Sequence, residues 1–279
     1  MTRGDFRADL HCHSTCSDGS FTPIELVRHA HDIGLSALAI TDHDNCTAYG
    51  EALAEAERLG VQLLTGVEFS THCDDSSIHI LGYGFPPQSI EIAGLAERHR
   101  QRRHVRNRAI FEQLARKGIT FTAEEIDRCC CGMNGRPHIA QLMVAKGYVP
   151  TIVDAFKRYL ADGASCFVKG DTIATEETIE LIHRAKGLAV LAHPHLIKGK
   201  GLVRKLLAMS FDGIECYYAK FPMSNHKRWL DIARQKGWLI TGGSDFHGDI
   251  KPMLPLGSSW VGMEHFKPLW DHFCASASH

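Results

Sequence analysis

Histidines and carboxylates recur along this chain in short clusters whose spacing suits metal coordination. Asp9-Leu10-His11-Cys12-His13 is followed by Ser17-Asp18-Gly19, then Thr41-Asp42-His43-Asp44 and Gly66-Val67-Glu68. Ile78-His79-Ile80, Ala192-His193-Pro194-His195 and Gly243-Ser244-Asp245-Phe246-His247 complete the series. In an extended segment, residues two apart project to the same side, so His11 and His13 can grip one ion, as can Asp245 and His247. Imidazole nitrogens and carboxylate oxygens suit zinc, manganese or iron, and a shared carboxylate can bridge adjacent ions. Each cluster alone has a bland reading. The His-x-His pair can be packing, Thr41–Asp44 a turn, Glu68 an exposed strand-end charge and His79 a satisfied core histidine. Brought together, they would form a multinuclear centre, so the question becomes which elements hold them.

Seven short apolar runs, near residues 6–10, 37–40, 62–66, 78–83, 188–192, 212–216 and 238–242, alternate with amphipathic helical stretches. That alternation predicts βα units and a largely parallel sheet. The clusters fall where these runs end, except that His79 lies inside one. In a closed parallel barrel the carboxyl ends of the strands converge on one mouth, so residues 230 apart in sequence can meet there. A helix is expected over 23–33, with Thr22 as N-cap, Pro23 in the first turn, Glu25 closing a capping box and Gly34 after its end. A second capped helix should follow Thr122, where Glu125 stands three residues on, and a third should span 175–186, before Gly187.

Residues 95–170 break the alternation, with helical patterns and no strand. They are read as a helical insertion forming a substrate lobe between barrel parts 1–94 and 171–279. Its first helix carries Arg98, Arg102 and Arg106 on one face at four-residue spacing. That face is either a solvated surface or a guide for an anionic substrate.

The bulk properties narrow the class. At 279 residues, 44% hydrophobic and 23% charged, the chain can bury a substantial α/β core. A formal net charge of −1 gives no global pull toward nucleic acid or membrane, and no apolar stretch approaches the ~20 residues that span a bilayer. The opening MTRGDFRADLHC lacks an apolar signal core, so a cytoplasmic protein is expected, with no obligate protein partner evident. The ten cysteines show no zinc-ribbon spacing and are read as reduced thiols, Cys12 and Cys16 being oxidation-sensitive by position.

The stretches DLHCHSTCSDG, LAITDHDN, GVEFS, IHILGYG, LAHPH and GGSDFH, running from residue 9 to residue 247, resemble the PHP family, named for polymerase and histidinol phosphatase. The resemblance implies an α/β fold, a distorted (β/α)7 barrel with a helical insertion. It also implies metal ligands at His11, His13, Asp18, His43, Glu68, His79, His193, Asp245 and His247, holding two or three divalent ions (Mn, Zn or Fe). By that resemblance Glu68 bridges two ions, with His11, His13 and Asp245 on one and His79 and His193 on the other. Asp18, His43 and His247 hold a third. Asp9, Asp42 and Asp44 are expected to orient the ligand imidazoles.

Charge counting favours phosphate. Three divalent ions bring +6, Asp18, Glu68 and Asp245 bring −3 and a hydroxide −1, leaving +2 to match a phosphate monoester dianion. The expected chemistry is metal-assisted hydrolysis, in which bound water becomes the nucleophile at neutral pH. Asp245 is read as orienting that water, and His195 as the acid for the leaving oxygen. Arg136 and His138, in Gly135-Arg136-Pro137-His138, resemble an element of the nucleotide-processing branch. They are read as phosphate ligands or, alternatively, as a helix anchor. Where some members of that branch carry an HPGRY-like sequence, this chain has HPHLIKGK, with Lys198 or Lys200 in place of the arginine. Substrates implied are small phosphorylated molecules, nucleotides or short oligonucleotides, among them 3′,5′-bisphosphonucleotides and the 5′ ends of short RNA. Histidinol phosphate is the alternative within the family. A non-catalytic metal- or nucleic-acid-binding module is the alternative of another class.

Overall fold

In the computed structural model, which describes residues 5–131 and 134–277, seven strands hydrogen-bond in chain order. They are β1 (Ala8–Cys12), β2 (Ala37–Ile40), β3 (Gln62–Cys73), β4 (Ser76–Tyr83), β5 (Leu188–Leu191), β6 (Gly213–Tyr218) and β7 (Leu239–Gly243). Beyond β7 the chain returns to β1: Asp245 N donates to His11 O at 2.8 Å and His13 N to Phe246 O at 2.9 Å. The result is a nearly closed seven-stranded barrel in an α/β fold. Gly243 makes the closure possible, because a Cβ there would sit 2.4 Å from the backbone nitrogen of His11.

One expectation needs correcting. Neighbours pair in parallel along β1-β2-β3 and β5-β6-β7, but β4 runs antiparallel to both β3 and β5. β3 continues well past residue 66, to Cys73, and turns straight back through Asp74, whose φ is +53°. So short a link leaves no room for the crossover helix that a parallel partner requires. The reversal accounts for the odd position of His79. Lying early in β4 and paired with Ser70, it reaches the same end of the sheet as Glu68 on β3.

Helices α1 (Pro23–Asp32) and α2 (Tyr49–Leu59) bury Leu26, Val27, Ala30, Tyr49 and Ala52 against Leu38 and Ile40 of β2. The capping box at Thr22 and Glu25 forms as the sequence indicates, and so does the one at Thr122 and Glu125. Helices α3 (Ile90–Arg116), α4 (Ala123–Cys130), α5 (Arg136–Ala145) and α6 (Ile152–Ala155) precede α7 (Thr175–Arg184). At the end of α7 it is Lys186, not Gly187, that takes a positive φ of +57°. Gly187 is required for closeness instead, since its Cβ would lie 3.2 Å from the carbonyl oxygens of Ile182 and Tyr83. Helices α8 (Lys200–Leu207), α9 (Met223–Lys236) and α10 (Met263–Ala277) complete the chain.

The chain divides into two compact units. One runs to Leu95 and resumes at Ile173, and it contains all seven strands. The other, Ala96–Thr172, has its own core around Ile110, Leu114, Ile139, Met143 and Leu160. All ten cysteines are free thiols. Among the described residues no helix is long and apolar enough to cross a membrane.

Candidate metal centre

Glu68, on the long strand β3, is the hub of the site, with its side chain 1% exposed. Its two oxygens face separate sets of imidazoles. Oε2 lies 3.2 Å from His11 Nε2, His13 Nε2 and His43 Nδ1. Oε1 lies 2.7 Å from His79 Nδ1 and 2.8 Å from His193 Nε2. Asp245 Oδ1 joins the first set, 3.3 Å from His13 Nε2 and 3.6 Å from His11 Nε2. Beside them Asp18 Oδ1 lies 3.3 Å from His247 Nε2, and Asp18 Oδ2 3.9 Å from His43 Nε2. The structure thus brings together nine donors from the ends of five strands and the start of a sixth. Asp18, His43 and His79, at 25%, 19% and 28% side-chain exposure, form the open rim by which a ligand can enter.

These residues fit divalent ions by two tests. Three groups each place their donor atoms within 4.8 Å of one another: His11-His13-Glu68-Asp245, His43-Glu68-His79 and His13-Asp18-His43-His247. In addition, both ring nitrogens of His13, Nδ1 of His43 and Nε2 of His247 are buried without a hydrogen-bond partner. The short approaches to carboxylates are therefore close contacts without hydrogen-bond alignment. A buried polar atom left in that condition is costly unless something else satisfies it.

Electrostatics keep the carboxylates ready to bind. Burial alone would raise Glu68, but His43, His11 and His79 hold it well below the usual carboxylate range. Asp245 is likewise held low, with contacts to His13, His11 and Lys251 outweighing burial. Burial works against a charge on His11, yet Glu215 and Glu68 push its pKa well up; His13 is raised to about 9, where Asp245 and Glu68 outweigh burial. His43 is pushed down to about 3, first by burial.

The supports of the site differ from the sequence expectation. Asp9 and Asp42 do not orient imidazoles. Asp9 accepts from the backbone of His11, Ser244 and Gly257, tying β1 to the segment after β7. Burial raises its pKa to about 6. Asp42 accepts from Ser14 N at 2.7 Å and from the hydroxyls of Ser14 and Ser17 at 2.6 Å, fixing the loop that carries Asp18. Asp44 accepts from Ser70 N at 2.7 Å. The imidazole of His11 is held by Glu215 on β6, a residue that the motif reading missed. Glu215 Oε1 is 2.8 Å from His11 Nδ1, and its Oε2 accepts from the backbone of His193 at 2.6 Å. The available signal was a lone acid inside the apolar strand Gly213–Tyr218, where an unpartnered carboxylate would be costly. Tyr218 and Lys251, also missed, donate to Asp245 Oδ2 at 2.9 and 3.2 Å, leaving Oδ1 to the imidazoles. The charge count thus gains a carboxylate at Glu215 and a cation at Lys251, and its sum stands.

Backbone strain collects here as well. Asp44, His193 and Asp245 adopt positive φ values of +54°, +24° and +56°. Such conformations cost on the order of 1–3 kcal/mol each and persist only where surrounding contacts fix them.

The remaining expected site residues have other surroundings. His195 stacks on Phe221 at 5.3 Å, with Tyr218, Trp229 and His226 around it, and burial pushes its pKa down to about 4. A ring that is uncharged at neutral pH is poorly suited to the acid role expected of it. Lys198 is exposed, three residues further on. Arg136 donates to Leu160 O and Asp162 Oδ1, both at 3.2 Å, and covers the Phe167 ring. His138 Nδ1 accepts from Gly135 N at 3.1 Å. These are contacts of a helix anchor, the alternative that the sequence left open.

Comparison with known proteins follows the geometry. The PHP domain model matches residues 9–216. A 5′-3′ exoribonuclease of Haemophilus influenzae is 35% identical over 95% of this chain and 98% of its own length. A 3′,5′-nucleoside bisphosphate phosphatase of Chromobacterium violaceum is 32% identical over 94% of each chain. A crystal structure from Bifidobacterium adolescentis, of a candidate metal-dependent phosphoesterase, superimposes with a TM-score of 0.83 at 30% identity. It covers 95% of this chain and 96% of that one.

Proposed function

This chain belongs to the PHP family, and on that premise we propose that its cluster hydrolyses phosphoesters of nucleotides. The substrates envisaged are nucleoside 3′,5′-bisphosphates and the 5′ ends of short RNA, the chemistry named for its relatives. The chain is a phosphoric ester hydrolase. The single observation that supports the nucleotide reading best is the division of imidazoles between the two oxygens of Glu68, with a third donor group alongside. A shared carboxylate of this kind suits adjacent ions, and a doubly charged phosphate matches a centre of residual positive charge.

The proposed ligands are His11, His13, Asp18, His43, Glu68, His79, His193, Asp245 and His247, for two or three ions of manganese, zinc or iron. Divalent ions, when bound, would lower the pKa of water toward neutrality and offset charge on the phosphate oxygens. The chain's own residues do the positioning. Glu215 holds His11 so that its Nε2 faces inward, and Tyr218 with Lys251 fixes the outer oxygen of Asp245. Asp245 Oδ1 then faces the donors at an angle set by a strained backbone, suited to orienting the attacking water. Lys198, being exposed, is offered to the substrate's phosphate. Arg136 and His138 take that role only if their internal contacts give way.

The test is a screen for released phosphate and nucleotide. Purified protein loaded with manganese, zinc or iron would be offered a nucleoside bisphosphate, short 5′-phosphorylated RNA, histidinol phosphate and an aryl phosphate. Turnover of the nucleotide substrates above the other two is expected. A folded, metal-loaded protein that releases nothing from any of them would sink the reading. Asp245→Asn should lose at least about a hundredfold in kcat, the scale of one well-placed acid–base group. Wild-type kcat in that variant would displace Asp245 from the chemistry. Arg136→Ala, run alongside, should raise KM if the guanidinium meets phosphate; unchanged kinetics with a lowered melting temperature would make it an anchor.

A further inference from the structure

Charge is distributed unevenly between the two units. Residues 96–172 hold fourteen Lys and Arg against eight Asp and Glu, whereas the rest of the chain holds seventeen against twenty-four. A near-neutral whole therefore contains a strongly basic part, the asymmetry expected of a segment that meets a polyanion. Within that unit lies a cleft of about 440 Å³. Arg98, Arg102 and Arg106 of α3 form one wall, and the segment containing Lys169, Gly170 and Asp171 forms the other.

The cleft is a built feature. Arg102 donates to the carbonyl of Asp171, joining the two walls, and lies 3.2 Å from the His99 ring. Gly170 lets the second wall approach, since a Cβ there would sit 3.3 Å from the Arg106 stem. At 1.5 Å rise per residue, the three arginines are spaced about 6 Å apart along the helix. Four cations and one carboxylate line the cleft, and no aromatic side chain does. Grooves that read bases in single strands supply aromatic platforms for stacking; one without them recognises the phosphate backbone.

We propose that this cleft is a sequence-independent phosphate-backbone site for single-stranded oligonucleotide substrates. It rests on the reading of the chain as an enzyme of nucleotide phosphoesters. It adds that substrates longer than one nucleotide gain affinity from the basic unit, which separates a nuclease-like use of the centre from a mononucleotide phosphatase.

The test uses the metal-loaded full chain, a fluorescent phosphorothioate oligoribonucleotide that resists hydrolysis, and the triple variant Arg98→Gln/Arg102→Gln/Arg106→Gln. Wild-type affinity should rise with length from one to about six nucleotides, a span within the usual single-strand site size. The triple variant should bind the longer oligonucleotide at least tenfold more weakly. Its log–log salt slope should be shallower by about two, from three lost contacts at ~0.7 each. Its KM for a nucleoside bisphosphate should stay within twofold. Equal binding by variant and wild type overturns the proposal, as does displacement of the oligonucleotide by an acidic peptide of equal charge at equal concentration. If the variant fails to fold, the wild-type length series decides alone, and an affinity independent of length overturns the site. Loss of all phosphoester hydrolysis by the wild type is read in a separate assay, so failure of the enzyme reading stays distinguishable.

Discussion

Glu215 shows how much of a metal site lies outside its ligands. It touches His11 and the backbone of His193, two donors from strands that are not neighbours in the sheet, and so fixes both the ring orientation of one and the strained φ of the other. A carboxylate behind an imidazole raises its basicity toward an ion and selects which nitrogen faces inward. Glu215→Gln keeps the shape but weakens that pull, so metal affinity should fall roughly ten- to hundredfold while the fold persists. Chelator competition on the purified variant measures it; wild-type affinity would reduce Glu215 to a structural filler. The chain's sequence named the nine donors through local motifs but not this support, because a single glutamate inside an apolar strand matches no spacing rule.

Among the elements, the pairing of α1 with α2 offers a pH test clear of the metal cluster. Glu55 on α2 accepts from Arg28 Nε of α1 at 2.6 Å and from Arg58 Nε at 2.8 Å. These bonds lower its pKa from 4.5 to about 2, Arg58 contributing first and Arg28 next. A carboxylate depressed in the folded state contributes stability that is fully present above its unfolded pKa and lost as pH falls through the folded one. The melting-temperature gap between wild type and Glu55→Gln should therefore be constant above about pH 5 and close as pH falls from 4.5 toward 2. The gap will be small, because exposed pairs are weak. A gap independent of pH over that range would show that the clip does not act through charge. The helices themselves were legible, with both capping boxes read directly from Thr-x-x-Glu. The direction of β4 was not, since strand direction depends on the length of the link between strands, and the true end of β3 lay hidden in the polar stretch Ser70–Cys73.

For the whole molecule, a centre assembled from residue 11 to residue 247 exists only in the folded chain. Ions that bind there and not to the unfolded state stabilise the fold by mass action, about 1.4 kcal/mol for each tenfold of free metal above the dissociation constant. Stripping the protein with a chelator should lower its melting temperature by several degrees, and added manganese or zinc should restore it in proportion to the logarithm of concentration. A melting temperature indifferent to chelator and metal would mean that the cluster carries no ion of consequence.

The sequence by itself determined the donors, the seven strands, the capped helices and the place where the alternation of strand and helix stops. These are set by local composition, where side-chain chemistry and periodicity act over a few residues. Only the tertiary structure decided that β4 reverses, that Glu68 offers one oxygen to each set of imidazoles, and that Glu215 rather than Asp9 or Asp42 braces His11. It also placed His195 in an aromatic enclosure. Such facts depend on which distant strands become neighbours and on the angle at which they meet, and that is fixed by the closure of the barrel rather than by any stretch of the chain within it.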